Sequence, residues 1–365
     1  MTYDGVGNLL TLTDELNRTT TYRYDALNRQ ISVTDALGQT TSFSYDSEGN
    51  RVAVTDALNR TTSYTYDALD RQVLMTNAIG GTSTTAYDAA GNLIAQTDEL
   101  NRTTSYTYDS RNWLTAVTDP LNHTSTRTYD AVGNILTTAD GLGHTTRYGY
   151  DALDRTTSTT DASGQTTLMT YDRVGNLLSL TDPDRNRTSY TYDALDRQLT
   201  DTNQLGLSRT YTYDAVSNET SIVDRNGRKT SYLYDALDRQ TQEIWLDASN
   251  APIRTTTRSY DAASQLTTIS DPDSRYSYTY DGAGRLITVD NTGTPNTPTV
   301  LLNYGYDAVN NLTSVTDTIN GQQAGTTAYT YDALYRTTQI TQSGTGVSNK
   351  RVDLTYDAAS QRTGI

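Results

Sequence analysis

The sequence has no cysteine among its 365 residues, which excludes disulfide staples, thiol nucleophiles and Cys-based zinc or iron–sulfur sites. It has one Phe, two Trp and two His. No window comes near 18 consecutive apolar residues, so no helical membrane span is expected, and no basic-then-apolar leader stands before Tyr3. Positive charge is also scarce: 28 Lys and Arg face 43 Asp and Glu, a net −15 spread evenly along the chain. A polyanion gains little from such a surface, which argues against nucleic acid and acidic membranes as partners.

What is abundant is Tyr, at 29 residues, much of it in Tyr-Asp pairs. From Tyr3-Asp4 the pair returns every 21 residues, at Tyr24-Asp25, Tyr45-Asp46, Tyr66-Asp67, Tyr87, Tyr108-Asp109, Tyr129, Tyr150-Asp151, Tyr171, Tyr192-Asp193, Tyr213 and Tyr234-Asp235. Such self-similarity outranks any local motif. A second marker follows ten residues after each Asp, at Asp14, Asp35, Asp56, Asn77, Asp98 and onward to Asp224. Both open one grammar, as in Asp35-Ala36-Leu37-Gly38 and Asp46-Ser47-Glu48-Gly49. Asp at the first position of a type I turn accepts a backbone N–H, and the fourth residue must tolerate a positive φ. After the Tyr-Asp pairs that fourth slot reads Gly7, Asn28, Gly49, Asp70, Gly91, Asn112, Gly133, Asp154, Gly175, Asp196 and Ser217. Gly, and then Asn or Asp, are the residues that adopt it cheaply.

Between turns, side chains alternate as in a strand with one covered face: Leu10 and Leu12, Ile31 and Val33, Val52 and Val54, with Thr, Ser and Gln between them. Tyr22/Tyr24 and Tyr64/Tyr66 place two aromatics at i and i+2 on that face. A turn every ten or eleven residues leaves no room for an average helix, so the chain reads as an all-β antiparallel meander of strands about six residues long. The turns after Tyr-Asp alternate between a Gly-Asn ending (Gly7-Asn8, Gly49-Asn50) and a Leu-x-Arg ending (Leu27/Arg29, Leu69/Arg71), which makes the full period 42 residues.

Residues 1–240 form the regular array, and residues 241–365 continue it with Tyr-Asp spacings of 20 to 26. The extra residues fall at Asp247–Pro252, Asn291–Pro298 and Ser343–Asn349 and are expected to be longer loops on the same scaffold. Because the repeat is cut at both ends, the chain is read as a piece of a longer polypeptide.

The candidate chemistry is thin. His123 and His144 fill a slot after the second turn that elsewhere holds Arg18, Gln39, Arg60, Arg102 and Gln165, so the slot accepts any long polar side chain. Rows of Asp suggest Ca²⁺ or a glycosidase pair, but each recurs at a turn start, where it has a backbone role. Tyr, with an apolar ring and a polar tip, suits packing as well as sugar or protein surfaces. No catalytic, cofactor or metal residue is assigned. The structural set is Tyr24, Asp25, Asp35, Gly38, Tyr45, Asp46, Gly49, Tyr66, Asp67, Tyr108, Asp109, Tyr150, Asp151, Tyr192, Asp193, Tyr234 and Asp235. Residues 1–240 are expected to hold no unique constellation, and the stretch after Trp245 is the place to look for one.

Tyr-Asp-Ala-x-Gly-Asn-Leu followed by Thr-Asp, Gly, Thr-Thr and the next Tyr-x-Tyr-Asp resembles the RHS/YD-repeat family, with 17 Tyr-Asp pairs covering the chain. The resemblance implies a sheet that spirals into a hollow β-shell, as in bacterial polymorphic toxins, toxin-complex cages and teneurin-like surface proteins. Splitting every 42 residues would instead give a β-propeller of four-stranded blades. In the toxin branch the shell ends in a core segment containing Asp-Pro-x-Gly-Leu. Asp119-Pro120, Asp182-Pro183 and Asp271-Pro272 are not followed by x-Gly-Leu, so neither self-cleavage nor a toxic activity is carried over. The resemblance implies a non-catalytic scaffold of a secreted or cell-surface protein, with neighbouring segments of the same chain, including an enclosed toxin domain, as partners. The other expectation is an adhesion module that takes glycans or surface proteins.

Overall fold

The computed structural model describes residues 1–345 and 347–365, and among them there is no helix. Thirty-three strands join in one antiparallel sheet, each paired with its neighbour in sequence, and a separate two-stranded sheet pairs Thr355–Tyr356 with Arg362–Gly364. A single 33-stranded sheet disposes of the propeller, whose blades would be separate four-stranded sheets. Regular strands alternate between five and six residues, as in Gln30–Thr34 and Thr40–Tyr45. Their Thr, Val, Ser and Tyr suit a pleated, half-covered surface.

The register puts Leu12 opposite Thr20 and Val33 opposite Tyr22, so the apolar and aromatic positions share a face. Beside each Tyr-Asp turn the register slips: Arg23 faces Ser32 and Tyr24 faces Gln30, which leaves Ile31 unopposed. The same bulge recurs at Tyr45, Tyr66, Tyr150 and Tyr192. Composition carries no trace of it, because a bulge belongs to the pairing of two strands.

All eleven slots from Gly7 to Ser217 have φ between 58° and 109°. At Gly175, with φ of 109°, an added Cβ would meet nothing within 4 Å, so the demand for glycine there is conformational. The expectation of longer loops needs correction. Strands Gln240–Leu246 and Pro252–Tyr260 take up all five extra residues of that unit. Of the stretch 343–349, residue 346 lies outside the described residues, and most of the rest lies in the paired strands Thr337–Gly344 and Val347–Asp353. Asp247–Ala251 keeps the regular turn, and of the three stretches Asn291–Pro298 is the one that forms a longer loop, between Leu286–Asp290 and Val300–Tyr306. Where two strands lengthen together, each added residue gains ladder hydrogen bonds that a loop would forgo.

No hydrophobic side chain among the described residues is fully buried. The chain exposes 21,340 Å², whereas a compact monomer of 40.2 kDa exposes roughly 14,500 Å². The excess goes with a sheet whose apolar side chains, among the described residues, all keep part of their surface exposed. Two compact units are defined by internal packing: residues 1–86, 97–102 and 257–365 form the first, and residues 87–96 and 103–256 the second.

Candidate functional site

The turns fall on two edges of the ribbon: those after Tyr-Asp on one, which we call the Tyr-Asp edge, and those ten residues later on the far edge. Each turn is built around its first carboxylate. Asp25 Oδ1 accepts the N–H of Leu27 (2.9 Å) and of Arg29 (3.0 Å), and Oδ2 accepts Arg29 Nε (2.7 Å). On the far edge Asp35 accepts Leu37 and Gln39 N–H in the same way. His123 and His144 also follow this plan, with Nδ1 at 3.0 Å from Asp119 Oδ2 and 2.8 Å from Asp140 Oδ2. Their slot therefore selects for a side chain that can bond to the turn carboxylate. Asp88 is held below the usual carboxylate range first by the Asn92 amide and then by its backbone N–H, and in Asp140 the His144 side chain is the largest cause.

The 42-residue period has a cause on the Tyr-Asp edge. Asn8 Nδ2 donates to its own Asp4 (2.8 Å) and forward to Asn28 Oδ1 (2.9 Å), twenty residues on. Asn50, Asn134, Asn176 and Asn218 repeat this onto Asp70, Asp154, Asp196 and Asp238. From the next turn Arg29 Nη1 donates forward to the Asp46 carbonyl (2.8 Å) and lies 4.8 Å over the Tyr45 ring. Arg155, Arg197, Arg285 and Arg336 do likewise onto the following turn. An Asn turn must be followed by a turn whose fourth residue carries an oxygen, whereas an Arg turn needs only a carbonyl and a ring. Gly and Asn/Asp therefore alternate in that slot. Departures are compensated. Where the receiving turn has Gly284, the donor is the longer Gln265, which reaches the Gly284 carbonyl at 2.9 Å. Trp113 stands in the Arg slot and meets the Tyr129 ring at 5.3 Å, and Arg111 reaches the Asp130 carbonyl in its place.

The preference for Tyr over Phe is explained by the hydroxyl. Tyr45 donates to the Gln30 carbonyl (2.7 Å), Tyr66 to Arg51, Tyr150 to Ile135, Tyr192 to Leu177 and Tyr234 to Glu219, each fifteen residues back. Each carbonyl lies two residues beyond the last register pair between its strand and that of the tyrosine, as Gln30 lies beyond Ser32 opposite Ser42 and Arg51 beyond Ala53 opposite Ser63. The phenol supplies the donor that the ladder cannot.

One constellation breaks the repeat, contrary to the expectation that residues 1–240 hold none. Asp201, in strand Gln198–Thr202, occupies the position of Leu12, Val33 and Val54 and is 5% exposed. Tyr211 donates to its Oδ2 at 2.8 Å, Arg225 Nη2 bonds to Oδ1, and Arg209 Nη1 lies 3.6 Å from Oδ2. Asp201 and Arg209 face each other in the register. Equivalent slots hold Thr20 and Thr41 for Arg209, and Ala36 and Ala57 for Arg225. The signal was present in the sequence as three charged departures at offsets that a meander brings together.

Within the first unit, the far edge of early turns meets the Tyr-Asp edge of late ones. Arg18 Nη1 donates to Gln265 Oε1 (2.7 Å) and Arg102 Nη1 to Gln361 Oε1 (2.9 Å). A Cβ on Gly282 would lie 3.1 Å from a Leu37 methyl, so glycine permits that close approach. Tyr335 takes the positive-φ slot at 63°, bonds to Asp56 through its hydroxyl and lies beneath the Arg60 guanidinium at 4.9 Å. Burial and then the Asp56 bond push its phenol up to about 12. In the second unit Trp245 is half-exposed, bonds Glu243 Oε1 at 3.0 Å, and lines a hollow of about 450 Å³ with Ile222, Arg228 and Ile253. Among the described residues no three His, Cys, Asp or Glu gather as a metal-holding group.

The sequence matches the RHS repeat over residues 3–40, 24–59, 45–82, 87–124, 129–166, 171–204, 213–244, 260–295 and 306–347. The chain belongs to the RHS repeat family. Solved structures with this RHS fold include TcdB2–TccC3 without its hypervariable C-terminal region (14% identity, TM-score 0.72, 99% of this chain and 25% of that one). TcdB2–TccC3 itself follows at 15% identity and TM-score 0.60, covering 100% and 25%. The Photorhabdus luminescens Tc holotoxin pore, in a TccC3 variant, follows at 14% and 0.54, covering 95% and 25%. The RHS chain thus spans about a quarter of the length of these neighbours. No curated protein matches the sequence. At such identities the likeness speaks for the RHS fold alone.

Proposed function

We propose that this RHS ribbon is a non-catalytic length of wall in a longer secreted polypeptide, and that the wall encloses or displays an effector segment. One observation carries the reading: a 33-stranded sheet in which, among the described residues, no hydrophobic side chain is fully buried is built as a thin wall is, without a globular core. The turn carboxylates support it, because their oxygens are engaged with their own turns. No described helix is long and apolar enough to cross a membrane. Limited proteolysis of the full polypeptide tests the proposal. The effector segment is expected to resist protease while the ribbon is folded and to be digested once the ribbon is opened. Equal digestion in both states sinks the idea, as does hydrolysis of a glycan or peptide by the purified chain that one Asp→Asn change in 245–365 abolishes.

A second reading, an adhesion module that takes glycan or protein, is favoured by the half-exposed Trp245 and its hollow. Quenching of Trp fluorescence by a glycan or surface protein, lost in Trp245→Ala, would move the assignment there; an unchanged spectrum across such ligands removes it.

A further inference from the structure

Tyr335 gathers several costs at one point of the first unit. Its φ of 63° is one that bulky side chains rarely adopt, and the matching slots of the other late turns hold Ser264, Gly284, Asn310 and Ser360. Its hydroxyl bonds to Asp56, the carboxylate of a far-edge turn 279 residues earlier. That bond displaces an arginine. In the turns of Arg18 and Arg102, Nε donates to the carboxylate of its own turn, Asp14 Oδ2 at 2.6 Å and Asp98 Oδ2 at 2.7 Å, while Nη1 reaches across to Gln265 and Gln361. Asp56 gives its Oδ2 to Tyr335 instead, the Arg60 guanidinium lies 4.9 Å over the ring, and its buried Nη1 has no partner. The cause lies in the receiving turn. Its fifth position, which holds Gln265 and Gln361 elsewhere, holds Arg336, and a second guanidinium has no acceptor for what Arg60 offers.

We infer that Asp56, Arg60 and Tyr335 form a two-state latch between an early and a late turn, in which one carboxylate oxygen passes between the phenol and the guanidinium. In the closed state, the one observed, Asp56 holds Tyr335. In the open state Arg60 Nε takes Oδ2, as Arg18 and Arg102 do in their own turns, and the phenol turns to water. Closing leaves a buried N–H of Arg60 without an acceptor, and opening gives up the phenol bond, so neither arrangement satisfies every group. Two arrangements balanced in this way are what a switch needs. Opening breaks no strand pair, because strands pair with their neighbours in sequence and, among the described residues, no backbone hydrogen bond joins early turns to late ones. It widens a hollow of about 360 Å³ that Asp35, Gln39, Asp56, Asn310 and Tyr335 line. Burial and the Asp56 bond push the phenol up to about 12, so near neutral pH the exchange is one of hydrogen-bond partners with no proton lost. The latch lies wholly in the first unit and stands apart from the enclosure reading.

The chain has no cysteine, so two introduced ones can carry spin labels without ambiguity. Ser63→Cys and Thr330→Cys are both at exposed positions, on strands Thr61–Tyr66 and Gln322–Tyr331 that lead out of and into the two turns. Pulsed dipolar spectroscopy on this labelled chain is expected to return two distances, the shorter from the closed state. Tyr335→Phe removes the hydroxyl and is expected to move the ratio towards the longer distance by roughly tenfold or more, the worth of one hydrogen bond to a charged group. Arg60→Gln removes the competitor and is expected to move the ratio towards the shorter distance. Glutamine suits the slot, since Gln39 and Gln165 fill it and bond their turn carboxylates through the backbone N–H. The second variant separates a latch from a prop, because an arginine that merely supports the ring would, on removal, open the joint. Strand circular dichroism is expected to be the same in all three chains. The inference is overturned by a single distance common to the three, by a Tyr335→Phe ratio equal to that of the labelled parent, or by Arg60→Gln moving towards the longer distance. Loss of the strand signal in either variant overturns it as well, since the triad would then be holding the fold together.

Discussion

Replacing Asp201 with Ala is expected to destabilise strands Gln198–Thr202 to Glu219–Val223 by about 1–3 kcal/mol, because it takes the shared acceptor from Tyr211 and from two part-exposed guanidiniums, Arg209 and Arg225. Arg225 already has a buried Nε without a partner, so the loss of the carboxylate leaves its part-exposed guanidinium with solvent alone. The triple change Asp201→Val/Arg209→Thr/Arg225→Ala, which restores residues used in other units, is expected to recover stability to within about 1 kcal/mol of the original or beyond it. Amide hydrogen exchange over residues 198–223 is the measurement, since a ribbon whose strands touch only their neighbours opens locally. Unchanged exchange in Asp201→Ala would mean that the cluster is a surface ornament. A triple variant as damaged as the single one would mean that shape, rather than charge balance, decides the site.

Acidification is expected to have the largest collective effect. In Asp4, Asp67, Asp98, Asp151, Asp182, Asp193, Asp224 and Asp235 the side chain four residues on is the largest cause that holds the carboxyl below its ordinary value. A depressed folded-state value means that the unfolded chain binds more protons, so stability rises with pH through this range. The contribution is complete above the unfolded value of about 3.9 and is lost as pH falls through the folded values. Each group is half-buried at the rim of the ribbon, within reach of solvent, and contributes little alone; many such turns titrate together. The melting temperature is expected to be flat above about pH 5 and to fall steeply below about pH 4. A melting temperature that holds steady down to pH 2 would refute the account of the turns. Asn77 and Asn203 show that an amide can keep the backbone half of the role: Asn203 Oδ1 accepts both Leu205 and Leu207 N–H at 3.0 Å.

Much of this was legible in the sequence, because the repeat exposes its own rules. The positive-φ slots, the strand lengths and the shared face of Tyr22 and Val33 follow from spacing and residue type. The bulge at Ile31 was not legible, since it lies in a relation between strands. Two of the late insertions became strand because pairing satisfies backbone groups that a loop leaves to water. Asp201 was passed over because each of its partners, read alone, resembles an ordinary polar residue on a strand or turn. Only the register shows that they converge. The meeting of early and late turns was also hidden, as no local pattern links Arg18 to Gln265.

The alternating Asn and Arg donors along the Tyr-Asp edge also govern how such a chain can change in length. Removing a 21-residue unit that carries an Arg turn would set two Asn turns side by side, and the forward amide would then point at a glycine that has no oxygen to offer, as Asn8 would find at Gly49; removing one that carries an Asn turn would leave the next Asn or Asp oxygen without its amide donor. Removing two preserves every hand-off. Duplication and loss in the gene should therefore be tolerated in steps of 42 residues, which gives the lineage of this protein a unit of inheritance twice as long as the motif by which it is recognised.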